Sequence, residues 1–299
     1  MEIRKLKPNE FYALRELLDE VFTRSNKRET IFMKEFPRIF GEPNEYCTSS
    51  HIGAFDGNRL IGTAAMYPID YVVGGVHVKL IGNGNIVVHE DYRGKGVMMS
   101  LLQKINEECD KIGDVGYLHG KVDRYAKVGY FPGGVQYQCV IEPGDKAGYE
   151  FAPVRPEEVM HHIESSSKRS DYIVRSEKEF IPALRSRARE PLTVFKNGEI
   201  VGYISFARYS KSVEEFAIDN EDEAGVFGAL ANEIGAPISV HISGYDVKTL
   251  ERIKECVNDP SAIKQSEPAL FRIINAEPLK AGARALGLDE SVIYAPYLT

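Results

Sequence analysis

Residues 86–102 read IVVHEDYRGKGVMMSLL. The apolar run that ends at Val88 has strand character. From Val97 onward the apolar positions Val97, Met98, Leu101, Leu102, Ile105, Cys109 and Ile112 fall on one broad helical face, which stops at Gly113. Arg93-Gly94-Lys95-Gly96 therefore joins a strand to the start of a helix. Backbone N–H groups there lack intrahelical partners, glycines let an anion approach closely, and two cations add charge, which suits a pyrophosphate. Taken alone, the tetrapeptide reads equally as a tight turn with two exposed cations. It is neither a GxxxxGK[ST] loop nor a GxGxxG fingerprint at the head of a βαβ unit.

Upstream, Ile3–Leu6 reads as a short strand. Phe11, Leu14, Leu17, Leu18, Val21 and Phe22 then follow helical spacing, and a second helical stretch covers 31–40. His51–Phe55 and Leu60–Val73 read as strands around the turn Asp56-Gly57-Asn58, and Gly74-Gly75 turns the chain into a strand over 76–88. Downstream of the glycine loop and its helix, a short strand ends at Tyr117-Leu118-His119. One or two helical turns follow over 122–127, and 135–141 is strand-like again.

Around 143–149 the sequence Pro-Gly-Asp-Lys-Ala-Gly-Tyr has linker character, so two lobes are expected at 1–145 and 150–299. The second half echoes the first. Ala54–Gly62 lies over Val194–Gly202 with Phe and the final Gly in common, and its turn and apolar positions match in type. Taken on in order of elements, Phe216-Ala217-Ile218 stands for the strand before the glycine loop, and Glu223-Ala224-Gly225-Val226 stands where Arg93-Gly94-Lys95-Gly96 does. A carboxylate repels phosphate, so the second lobe is expected to lack a cofactor site.

Composition narrows the function. With 299 residues and 43% hydrophobic content the chain can fill two cores, and its formal net charge of −7 speaks against nucleic acid as a partner. Cys47, Cys109, Cys139 and Cys256 show no metal or disulfide spacing and read as reduced core thiols. The N-terminal MEIRKLKPNEF has no apolar h-region, and no stretch is apolar enough to span a bilayer; a cytoplasmic location without membrane association is the expectation. The acidic run Glu214-Glu215 and Asp219 to Glu223 reads as a solvated face rather than a cation-attracting cleft. Oligomeric state, a homo-oligomer included, stays open.

Two segments together resemble the GCN5-related N-acetyltransferase (GNAT) superfamily. Arg93 to Met98 is similar to its [Q/R]xxGx[G/A] pyrophosphate loop, and Tyr125-Ala126-Lys127-Val128-Gly129-Tyr130, about 30 residues on, to its Y-x-x-x-G-[F/Y] segment. The resemblance covers about residues 1–145. The second half is similar in type to the tandem-lobed aminoglycoside acetyltransferases related to the enhanced intracellular survival protein. Glu90 departs from the family's usual Pro, and Met98 from its Gly or Ala. The chain also leaves little room for the third, sterol-carrier-like lobe of those relatives.

The resemblance implies an α/β (α+β) fold: a mixed central sheet flanked by helices, followed by a degenerate second lobe. It implies acetyl-CoA as cofactor, held by Ile86, Val87, Val88, Arg93, Gly94, Lys95, Gly96, Val97 and Met98, and a primary amine of a small-molecule or cationic acceptor as the group acetylated. A backbone N–H at Val88 is expected to stabilise the oxyanion, and the Tyr125 hydroxyl to supply a proton to the departing thiolate. A base for the amine is expected among His89, Glu90, His119, Glu45, His51 and the terminal carboxylate of Thr299. The alternative reading is a non-catalytic protein that keeps the acyl-CoA cradle for sensing.

Overall fold

The computed structural model describes residues 1–257 and 259–291, which divide into two compact units. The first comprises 1–69, 78–132 and 269–276. It opens with β1 (Glu2–Lys5) and α1 (Phe11–Asn26), whose apolar stripe Phe11, Leu14, Leu17, Leu18 and Val21 is buried. A single 3-10 turn precedes α1, and the Glu10 carboxylate there accepts the Lys7 N–H at 2.7 Å and both Arg4 guanidinium nitrogens at 2.9 and 2.7 Å. Short helices α2 (Phe32–Glu35), α3 (Pro37–Phe40) and α4 (Glu45–Ser49) lead to the hairpin of β2 (His51–Asp56) and β3 (Arg59–Val73). Then come β4 (Val76–Val88), α5 (Val97–Ile112), β5 (Val115–Leu118), α6 (Val122–Tyr125) and β6 (Phe131–Gly133). Val97, Leu101, Leu102, Ile105 and Cys109 of α5 are buried, as the helical spacing predicts.

The second unit comprises, of the described residues, those within 70–77, 133–268 and 277–291. Its elements are β7 (Gln136–Ile141), β8 (Tyr149–Pro153), α7 (Val159–Ser167), β9 (Asp171–Ile173), α8 (Glu177–Leu184), β10 (Glu190–Lys196), β11 (Glu199–Ala207), β12 (Ser212–Ile218), α9 (Glu223–Ile234), β13 (Ile238–Ser243), α10 (Val247–Cys256), β14 (Ile263–Ser266) and, after β15 (Ala269–Ile273), α11 (Glu277–Ala285).

The first sheet runs β1-β2-β3-β4-β5-β15-β6 and the second β8-β10-β11-β12-β13-β7-β14. The two orders correspond strand for strand, so the second unit repeats the first. Detail supports this: β2–β3 shifts register between Ala54 and Phe55, and β10–β11 between Val194 and Phe195, the same place in the two sequence segments that match. Each sheet also contains a parallel pair at the corresponding place, β4 with β5 and β12 with β13. A linear boundary near residue 145 assigns β7 to the first lobe, yet β7 pairs with β13 and β14 in the second sheet, and β15 pairs with β5 in the first.

Two members of the acidic run, Glu215 and Glu223, depart from the solvated face its composition predicts, while Glu221 is exposed. Glu215 is buried under a bidentate contact from Arg175 at 2.6 and 2.9 Å and a 2.8 Å bond from the Tyr203 hydroxyl. Glu223, only 3% exposed, is held by Arg252 Nε at 2.8 Å. Buried carboxylates persist only when paired in this way. Cys47, Cys109 and Cys139 are buried free thiols, and burial pushes the Cys47 thiol up to about 12 and Cys139 to about 11, which keeps both protonated and unreactive.

Candidate active site

The parallel pairing of β4 with β5 runs from Leu80↔Val115 through Gly82↔Tyr117 and then ends, although β4 continues to Val88. Tyr130 fills the start of the opening. Its hydroxyl donates to Asn83 Oδ1 at 2.7 Å, and a Cβ on Gly116 would come within 2.7 Å of the Tyr130 hydroxyl oxygen, so β5 needs glycine there. Gly129, at φ +87°, turns the chain so that Tyr130 can enter; the Y-x-x-x-G-Y pattern is thus partly a wedge.

Past the split, the second half of β4 lines a cavity of about 700 Å³. The His89 N–H bonds to Ile61 O of β3, and backbone groups alternate sides along a strand. The N–H groups of Val88 and Ile86 therefore face away from β3. Consistently, Val88 O accepts Arg93 Nε at 3.3 Å.

Gly94 and Gly96 adopt φ of +75° and +79°, a region that costs little only for glycine. Gly96 is the N-cap of α5 and has no side chain to satisfy the first-turn N–H groups, which leaves the positive end of a 16-residue helix uncapped. Arg93, Gly94, Gly96, Val97 and Met98 line the cavity with Ile86, Val87, Val88 and Tyr125. Lys95 does not: its ammonium donates to Asp91 O at 2.9 Å and lies 5.0 Å from the Tyr92 ring centre. Lys121, and Arg124 immediately before the Y-x-x-x-G-Y segment, neither of them among the expected cofactor residues, supply cations to the lining, and no carboxylate is among the described lining residues. A chain with net charge −7 thus reserves a cationic cavity that fits a polyphosphate.

Tyr125 packs against Gly120, where a Cβ would approach the ring to 2.4 Å. Its hydroxyl has no hydrogen-bond partner among the described residues, and burial raises its pKa above the ordinary 10.0, so it keeps its proton at neutral pH. Of the described base candidates, His119 lines the cavity, while His51, His89, Glu45 and Glu90 do not. His89 accepts from Arg59 at 2.9 Å, Glu90 pairs with Arg24, and Glu45 is exposed at the start of α4. Thr299 lies outside the described residues. Missed entirely were Asn83 and Asn85, two amides that interrupt the apolar strand and line the cavity, and Val21, Phe22 and Ser25 of α1.

The corresponding place in the second unit is a smaller cleft of about 410 Å³ lined by Ile218, Asp219, Glu223, Asp246, Thr249 and Arg252, among others. Here α9 is capped by the Asp222 carboxylate, which accepts the Gly225 N–H at 3.1 Å, and Arg252 is committed to Glu223. A phosphate entering this cleft would meet Asp219, Glu221, Glu223 and Asp246 as well as Lys168, Arg169, Lys248 and Arg252, whereas the first cavity has cations and no carboxylate among its described lining residues.

A splayed parallel pair beside an uncapped glycine turn, with a proton-bearing tyrosine in the same cavity, has the architecture of a CoA-dependent acyltransferase. Residues 2–132 match the family model described as Acetyltransferase (GNAT) domain. Solved structures with the same fold include a GCN5-related N-acetyltransferase from Kribbella flavida (TM-score 0.68, 15% identity, 94% of this chain and 74% of that one). They also include a probable N-acyltransferase from Enterococcus faecalis V583 (TM-score 0.68, 16% identity, 93% and 74%) and Eis1 from Mycobacterium abscessus (TM-score 0.59, 18% identity, 94% and 76%). No curated protein matches the sequence.

Proposed function

We propose that this chain transfers an acetyl group directly from acetyl-CoA to a primary amine of a small, cationic acceptor. The observation that carries the reading is the coincidence, in one cavity free of described carboxylates, of the opened β4 edge, the uncapped glycine turn and a Tyr125 hydroxyl without a hydrogen-bond partner among the described residues. When bound, the cofactor supplies an acetyl group activated as a thioester. Arg93 and the N–H groups after Gly94 and Gly96 would hold its pyrophosphate, and Ile86 to Val88 would pair with its pantetheine arm through the edge that β5 leaves open. Lys95 would contribute only long-range charge.

In transfer, a bond forms between the amine nitrogen and the acyl carbon while the carbon–sulfur bond breaks. The Val88 N–H is suited to donate to the developing oxyanion, Tyr125 to protonate the departing sulfur, and His119 to take the proton the nitrogen loses. The Asp222 cap in the second unit favours one cofactor site per chain, and buried reduced thiols favour a cytoplasmic setting. Neither nucleic acid nor membrane is a proposed partner.

The test is mass spectrometry of an amine panel incubated with acetyl-CoA and the purified chain. Products one acetyl group heavier support the reading. Thermal stabilisation by acetyl-CoA with no product from any amine supports instead an acyl-CoA-binding protein without transferase activity.

A further inference from the structure

Asn85 sits at φ +51° in the middle of β4, a left-handed conformation that asparagine tolerates better than most residues, and it lines the cavity. Its amide orientation follows from a chain of partners that begins at Cys47. The Cys47 carbonyl can only accept, and it lies 2.6 Å from His51 Nδ1, so that nitrogen carries the hydrogen. In the neutral ring Nε2 is then a bare acceptor, and His51 is fully buried, which lowers its pKa to about 4 and keeps it neutral. Nε2 stands 3.1 Å from one end of the Asn85 amide, and the Tyr67 hydroxyl oxygen stands 2.7 Å from the same end. That end must be the NH₂ group, since an oxygen there would face a lone pair at 3.1 Å. Both N–H bonds of Asn85 are thus spent inward. Its Oδ1 has no hydrogen-bond partner among the described residues and is left as a neutral acceptor on a residue that lines the cavity, as Arg93, Lys121 and Arg124 also do.

We propose that Asn85 Oδ1 accepts a hydrogen bond from the attacking amine, making Asn85 the residue that orients the acceptor, with His51 and Tyr67 as positioning residues that fix the amide's polarity. This rests on the proposed acetyl-CoA-dependent transfer. The chemistry follows from counting hydrogens. A primary amine has two N–H bonds besides its lone pair: one is donated to Asn85, which aims the lone pair at the acyl carbon, and the other is lost to the base as the new bond forms. An N-methylated amine has only one and cannot serve both needs. The nitrogen also gains positive charge during attack, which strengthens a hydrogen bond to the amide oxygen in the transition state. The site is therefore selective for primary amines.

Asn85→Gly tests this, because glycine keeps the positive φ and removes the amide. Putrescine, spermidine, tyramine and glucosamine are each compared with the N-methyl derivative for the wild type and the variant, alongside acetyl-CoA affinity by calorimetry. The expected result is unchanged acetyl-CoA affinity, kcat/KM for primary amines lowered about 10- to 100-fold, the range for a hydrogen bond to a charged partner, and collapse of the preference over N-methyl amines. Tyr67→Phe, which removes one of the two groups that hold the NH₂, is expected to weaken the same preference with acetyl-CoA affinity intact. Wild-type turnover with an Asn85→Gly variant that keeps both rate and preference overturns the assignment of Asn85 alone. A wild-type protein that acetylates no amine overturns the transferase reading and this assignment with it.

Discussion

The Asp222 carboxylate accepts the Gly225 N–H at 3.1 Å and so closes the start of α9, whereas Gly96 leaves the start of α5 without a side-chain cap. Two repeats of one fold thus treat the same helix end in opposite ways. In the second unit the chain provides its own anion; in the first it leaves room for one from outside. Asp222 also accepts from Tyr149 at 2.5 Å and Lys196 at 3.3 Å. Asp222→Ala is therefore expected to cost about 0.5–2 kcal/mol or slightly more in urea unfolding. Acetyl-CoA affinity by calorimetry should stay unchanged, and a weakened affinity would argue against confining the cofactor to the first unit.

Arg93 is exposed and makes one long bond, to Val88 O at 3.3 Å. Its replacement by glutamate should alter stability by no more than about 0.5 kcal/mol. Reversing the charge beside a pyrophosphate should weaken acetyl-CoA binding at least tenfold, about 1.4 kcal/mol. Normal affinity in the Arg93→Glu variant would remove the loop from the cofactor site.

Tyr125→Phe keeps the ring against Gly120 and deletes only the proton donor. Acetyl-CoA affinity is expected to be unchanged, with turnover lower by about 10²-fold, the usual worth of general acid catalysis. Steady-state kinetics showing wild-type kcat would take the tyrosine out of the mechanism.

His51 and His162 are both fully buried, and burial lowers each from 6.5 to about 4. The unfolded chain binds these protons at higher pH than the folded one, so stability falls as pH drops below about 6.5 and the loss is complete near pH 4. Each ring accounts for up to about 3 kcal/mol across that window. Urea unfolding between pH 7.5 and 4.5 should show the decline, and His162→Gln should flatten it; equal slopes in wild type and variant would mean that His162 does not titrate this way.

Much of this was legible in the sequence. Helical spacing located α1 and α5, the Asp56-Gly57-Asn58 turn located the first hairpin, and matching Phe55 with Phe195 located a repeat whose bulge recurs in the structure. The glycine loop could be read because positive φ and an uncapped helix start both require glycine. Strand character, by contrast, says nothing of a strand's neighbours, so the pairing of β7 with β13 and of β15 with β5 was hidden. A second echo was visible but passed over: Lys7-Pro8-Asn9-Glu10 and Arg155-Pro156-Glu157-Glu158 each form a 3-10 turn whose last glutamate bonds back to the first residue, at a different offset from the hairpin repeat. Asn83-Gly84-Asn85 carried a signal too, since polar amides inside an apolar strand need a reason. Charge patterning misled at Glu215 and Glu223, because a run of acids looks solvated until the topology brings Arg175 and Arg252 to it.

The central claim is acetyl transfer to an amine at the cavity shared by Arg93 and Tyr125. Its most direct test is release of free thiol from acetyl-CoA, followed with and without each amine of a panel. The account predicts release that depends on a primary amine and is lost in Arg93→Glu; a purified protein that binds acetyl-CoA yet releases no thiol with any amine would contradict it.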